Sequence, residues 1–157
     1  MKFADFVCPG AIVTRLRARE RNSVIRELVS VLEKAGKLGG GKADRIATAV
    51  INRENEASTG MGKGIAVPHV KHKAIKEVAA SIGLSSEGID FTALDKQPVY
   101  SVILLVSPED EPDRHLQAME CIFKHLQNDK FRKFLRQSQT PRQVQELLQE
   151  ADDNQNL

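Results

Sequence analysis

At 157 residues and 41% hydrophobic content, the chain is long and apolar enough for one core and is expected to form a single domain. Lys and Arg number 23 against 21 Asp and Glu, for a formal charge of +2, and one Tyr and no Trp are present, so neither a broad basic field nor a stacking platform for nucleic acid is expected. Cys8 and Cys121 stand alone, the N-terminal MKFADF lacks a signal-peptide core, and the longest strongly apolar run, Val102 to Val106, cannot cross a bilayer, which together predict a soluble cytoplasmic protein without disulfides or membrane insertion.

In chain order, Ile12 to Leu16 reads as a short strand. A helix is predicted over 23–35, where Ile25, Leu28, Leu32 and Ala35 recur at helical spacing, with Asn22 as N-cap and Gly36 as stop. Arg15, Arg17, Arg19 and Arg21 just before it alternate as a solvated edge or a small basic patch. Gly39 to Gly41 turn into a second helix, predicted over 43–54, with Ile46, Ala47, Val50 and Ile51 on one face. Arg53 ends that helix, where its guanidinium can meet the last carbonyls or grip phosphate beside the next loop.

Beyond a glycine-rich loop, Ile65 to Val67, Val78 to Leu84 and Val99 to Val106 read as strands, the last continuous enough to be central. A helix over 113–127 is predicted to turn Leu116, Met119, Ile122, Phe123 and Leu126 inward, with Cys121 as a small core residue and His115 in the first turn. Helices over 129–137 and 141–150 follow, before a polar tail, 151–157, expected to fray. Strands mixed with helices over residues 1–150 predict an α/β domain: a mixed β-sheet flanked by α-helices.

The most informative segment runs from Asn52 to His69, NRENEASTGMGKGIAVPH. Glycines at 60, 62 and 64 let backbone bend closely around something small, Ser58 and Thr59 offer hydroxyl donors, and Pro68 restricts the chain just before His69. Such parts can hold an anion beside a nucleophile, and a neutral imidazole can attack phosphorus to form a phosphohistidine. Ile65 stands where a dinucleotide fingerprint needs its third glycine, and Gly64 stands where a P-loop needs Ser or Thr. The alternative is a turn leading into a strand that ends on an ordinary histidine. His115 has the same two readings, a neutral phosphate partner at a helix N-terminus or a partly exposed helix-start residue. His72, within VKHK, and His125, beside Lys124, read as solvated. His69, His72 and His115 superficially offer three imidazoles to a metal, but no carboxylate lies between the first two and no CxxC pair accompanies them, so no metal or cofactor is expected.

The stretch STGMGKGIAVPH, preceded by Arg53-Glu54, resembles the phosphorylation-site signature of phosphotransferase-system IIA domains of the fructose, mannitol and nitrogen-regulatory type. Downstream, IDFTALDKQPV is similar to that family's strand-and-turn segment and EPDRHLQAM to its helix with a second active-site histidine. The resemblance covers nearly the whole chain and implies a mannitol-type IIA fold. It further implies that His69 accepts phosphate from the phosphocarrier HPr and that His115 and Arg53 assist, while Ser58, Thr59 and Gly60, from their own residue chemistry, are the groups expected to bind the phosphate. The acceptor would be a sugar-specific IIB domain or, for a nitrogen-regulatory type, a regulated protein. With no IIB, membrane or HPr domain attached, the sequence resembles the regulatory type more. Val70 departs from the family, which commonly has glycine after the histidine.

Overall fold

The computed structural model describes residues 1–154. A 3-10 turn, Phe3–Asp5, leads into β1 (Val7–Val13), α1 (Arg21–Lys34) and α2 (Ala43–Glu56). Three short strands follow, β2 (Gly60–Gly62), β3 (Ile65–Ala66) and β4 (His69–His72). Two long ones come next, β5 (Ala79–Ile89) and β6 (Val99–Pro108), and α3 (Pro112–Leu126), α4 (Asp129–Gln137) and α5 (Pro141–Asp153) complete the fold.

The apolar run of β6 takes the central place its composition predicts. It pairs antiparallel with β5 and parallel with both β3 and β4, within a sheet ordered β1-β5-β6-β3-β2. Alternate β6 residues serve different cores. Val102, Leu104 and Val106 pack with α1 and α2, whereas Ile103 and Leu105 pack with α3, α4 and α5. Helices therefore cover both faces of a mixed sheet, as expected.

β3 and β4 lie along the same edge of β6, Ile65 opposite Ser101 and His69 opposite Leu105. Pro68 separates them. Lacking an N–H it cannot donate to a ladder, but its carbonyl accepts from the Leu105 amide at 3.0 Å. The chain thus stays on the sheet while the strand is interrupted, and His69 is delivered at a fixed register.

Several expectations needed revision. The first strand begins at Val7, not Ile12, because a register shift between Val7 and Ile12 accommodates Pro9-Gly10. α1 begins at Arg21 with Glu20 as N-cap and no side-chain cap bond, so Asn22 lies inside it; Gly36 does follow its end with φ +78°. β4 was not anticipated, since HVKH carries no apolar alternation. Leu116 is exposed, and α3 buries His115, Ala118, Cys121, Ile122, His125 and Leu126 instead. The tail expected from 151 remains helical through Asp153, because the buried Asp152 carboxylate accepts from the Phe3 and Ala4 amides at 2.7 and 3.0 Å. The rest of that tail, 155–157, lies outside the described residues.

Candidate functional site

His69 opens β4, half-buried. Its Nδ1 is 2.8 Å from the Val67 carbonyl oxygen, and a carbonyl can only accept. Nδ1 therefore carries the ring proton, and Nε2 carries the lone pair. Burial lowers the imidazole's pKa below its ordinary 6.5, the Arg53 and Lys71 charges lower it further, and the Val67 hydrogen bond and Glu54 pull the other way. The net result is a ring held neutral with its nucleophilic nitrogen defined.

His115 lies in the first turn of α3, with its ring centroid 5.6 Å from that of His69 and the planes tilted by 47°. It is not the partly exposed helix-start residue that was one reading of the sequence. Its position shares the face of Ala118 and Ile122, and it is buried. Nδ1 is 2.6 Å from Ser107 Oγ, itself fully buried at the end of β6. Burial, then the nearby His69 and Lys71, depress its pKa to about 4.

The glycine loop has a structural role of its own. Gly62, Lys63 and Gly64 have φ of +90°, +60° and +78° and form the reversal between β2 and β3, which favours glycine for conformational reasons. Gly60 is where backbone approaches closely, since a Cβ there would lie 2.9 Å from Ala93 Cα. The donors predicted for phosphate are engaged within the protein. Ser58 Oγ donates to the Phe91 carbonyl at 2.5 Å and accepts from the Gly60 amide at 3.0 Å. Thr59 gives its amide and hydroxyl to the two Glu54 carboxylate oxygens, at 2.5 and 2.7 Å. Arg53 stands in the last turn of α2, one Nη1 contact at 3.3 Å reaching the Ala57 carbonyl, and its charge acts on His69.

Three contributors escaped the sequence reading. Glu54 is 2% exposed and ties the loop to α2; its spacing from Ile46, Ala47, Val50 and Ile51 puts it on the buried helix face, a signal that was available. Ser107 lies one residue past the predicted strand, and Lys71 occupies an unpredicted one. His125, expected to be solvated, is buried between Phe3 and Phe131, at ring-centroid distances of 5.1 and 5.7 Å. His72 is half-buried, its Nδ1 accepting from the Ala74 amide at 2.9 Å. Val70 continues the β4 ladder opposite Val106 and packs on the core beneath α1 and α2, so an L-residue fits the backbone where the family commonly has glycine. Among the described residues no group of three or more His, Cys, Asp or Glu side chains is placed to hold a metal ion.

Comparison with known proteins places this geometry in context. Residues 6–151 match the family described as "Phosphoenolpyruvate-dependent sugar phosphotransferase system, EIIA 2". The fructose-specific EIIABC component of Bacillus subtilis is 32% identical over 152 residues, 97% of this chain, which spans 24% of that protein's length. A nitrogen regulatory protein of Bradyrhizobium diazoefficiens is 30% identical over 94% of this chain and 95% of its own. The crystal structure of nitrogen regulatory protein IIA-Ntr from Neisseria meningitidis superposes with a TM-score of 0.83 at 23% identity, covering 93% of this chain and 98% of that one. No helix among the described residues is long and apolar enough to cross a membrane.

Proposed function

Since the chain belongs to the type-2 EIIA family of the phosphoenolpyruvate-dependent sugar phosphotransferase system, we propose that it is a phosphocarrier whose His69 takes a phosphoryl group from an HPr-type donor. The observation that carries this reading is the His69 Nδ1 contact with the Val67 carbonyl, which leaves Nε2 as the free nucleophile beside His115. The Nε2 lone pair attacks phosphorus in line, the donor's phosphorus–nitrogen bond breaks, and the donor ring keeps that electron pair. The positive charge gained by the His69 ring is shared through Nδ1–H with the Val67 carbonyl. Arg53 supplies the cationic group for the phosphoryl oxygens. Ser58, Thr59 and Gly60 contribute by holding the loop rigid beside it, and direct phosphate contacts from them would require the bonds described above to open. Positioning and charge stabilisation carry the rate, with little acid–base chemistry.

Two outlets for the phosphate have support. A nitrogen-regulatory role, in which the phosphorylation state of His69 controls binding to another protein, is favoured by the end-to-end match with the Bradyrhizobium protein. Transfer to a IIB domain of a sugar transporter is favoured by the match with fructose-specific EIIABC. Presenting the phosphorylated protein to sugar-specific IIB domains separates them. The regulatory reading expects no productive transfer and a partner captured by only one phosphorylation state; rapid transfer to a IIB domain overturns it in favour of transport.

A further inference from the structure

Ser107 Oγ is 0% exposed, and His115 Nδ1, at 2.6 Å, is its only hydrogen-bond partner among the described residues. Two proton arrangements satisfy that distance. If Nδ1–H donated to the hydroxyl, the hydroxyl's own proton would be buried without an acceptor, and an orphaned donor is the costly outcome. If the hydroxyl donates to an unprotonated Nδ1, no donor is orphaned. We propose that Ser107 is a positioning residue that holds neutral His115 as its Nε2–H tautomer, so that this ring presents a donor where His69 presents a lone pair.

The two histidines then carry opposite functions for the same electrostatic reason. A carbonyl at Nδ1 of His69 forces the proton onto Nδ1, and a buried hydroxyl at Nδ1 of His115 sends it to Nε2. The rings cannot exchange roles without breaking one of these bonds. The pKa of about 4 at His115 keeps the ring neutral at pH 7, so the tautomer, rather than an imidazolium, decides which nitrogen donates. The donor's use on a phosphoryl group rests on the phosphocarrier reading; the tautomer itself does not.

Long-range nitrogen–proton correlation spectra of protein labelled with 15N-histidine test this at pH 7, because protonated and unprotonated ring nitrogens resonate separately. The expected result is an unprotonated Nδ1 and protonated Nε2 for His115, with the reverse for His69. Ser107→Ala should convert His115 to a mixture of tautomers and slow phosphate acceptance about fivefold, the loss of one net hydrogen bond, and Ser107→Thr should restore both. A protonated His115 Nδ1 in the unaltered protein overturns the proposal, whether or not Ser107→Ala folds, and so does a folded Ser107→Ala with an unchanged spectrum. If His69 takes no phosphate yet the spectrum is as expected, the phosphocarrier reading fails and the tautomer assignment stands.

Discussion

The rings of His69 and His115, 5.6 Å apart between centroids, are each anchored through Nδ1, one by the Val67 carbonyl and the other by the Ser107 hydroxyl. Strand β4 and helix α3 are far apart in sequence, and β6 brings them together: it pairs with β4 and carries, next to its last residue, the Ser107 that contacts His115.

If His69 is the phosphate acceptor proposed above, that arrangement gives His115 a supporting role beside it. His115→Ala should leave His69 able to take phosphate but slow the transfer by two to three powers of ten, the scale of about 2.7–4 kcal/mol seen when a donor to a developing charge is removed. His115→Gln, which keeps an N–H donor, should recover part of the loss. Stopped-flow transfer from phosphorylated HPr measures it, and an unimpaired alanine variant would remove His115 from the reaction.

Arg53 makes a single 3.3 Å contact with the Ala57 carbonyl while its charge depresses the His69 pKa. A lysine keeps the charge but not the planar fork that binds phosphate through two parallel bonds. Arg53→Lys should therefore unfold at the same denaturant concentration as the unaltered protein yet accept phosphate about tenfold more slowly. Equal transfer rates would leave Arg53 as a helix-end residue only.

Glu54 should matter more to stability than any other charged residue near the site. Glu54→Ala removes both acceptors from Thr59, and bonds to a buried charge are worth about 1.5–3 kcal/mol each without being additive. A loss of about 3 kcal/mol is expected in urea unfolding, with a smaller loss for Glu54→Gln. A denaturation midpoint that does not move would mean the carboxylate does not hold the loop.

Acid should destabilise the protein through the same histidines. The folded-state pKa of His115, about 4, lies below the ordinary 6.5, so the unfolded chain takes up the proton first as pH falls. The stability associated with neutral His115 is present above pH 6.5 and is lost between 6.5 and 4, reaching about 2 kcal/mol at pH 5. His69 and His125 are also lowered, chiefly by burial, and act in the same direction. Urea unfolding at pH 7.5 and pH 5 checks this. His115→Gln should flatten part of the dependence, and equal stability at both pH values in the unaltered protein would contradict it.

Much of this was legible in the residues because the dominant signals are periodic. The apolar run of β6 marked its central place, and α1, α2 and α4 were predicted to within two residues at each end. His69 was marked by its neighbours, Pro68 and the glycines, and the structure shows Gly62 and Gly64 turning a hairpin. What escaped depends on tertiary partners. HVKH becomes a strand because it lies beside β6, and Ser107 acquires a role only when α3 folds over it. Leu116 pointed outward against the helical pattern because the buried face was set at its two ends by His115 and His125, polar residues that periodicity counts as solvent-facing.

Phosphorylation of His69 tests the account most directly. After incubation with phosphoenolpyruvate, enzyme I and HPr, the protein should carry one acid-labile, base-stable phosphate, located at Nε2 of His69 by NMR of the labelled ring, and His69→Ala should carry none. Equal labelling of His69→Ala, attachment at Nδ1, or phosphate mapped to Ser58, Thr59 or His72 would contradict it.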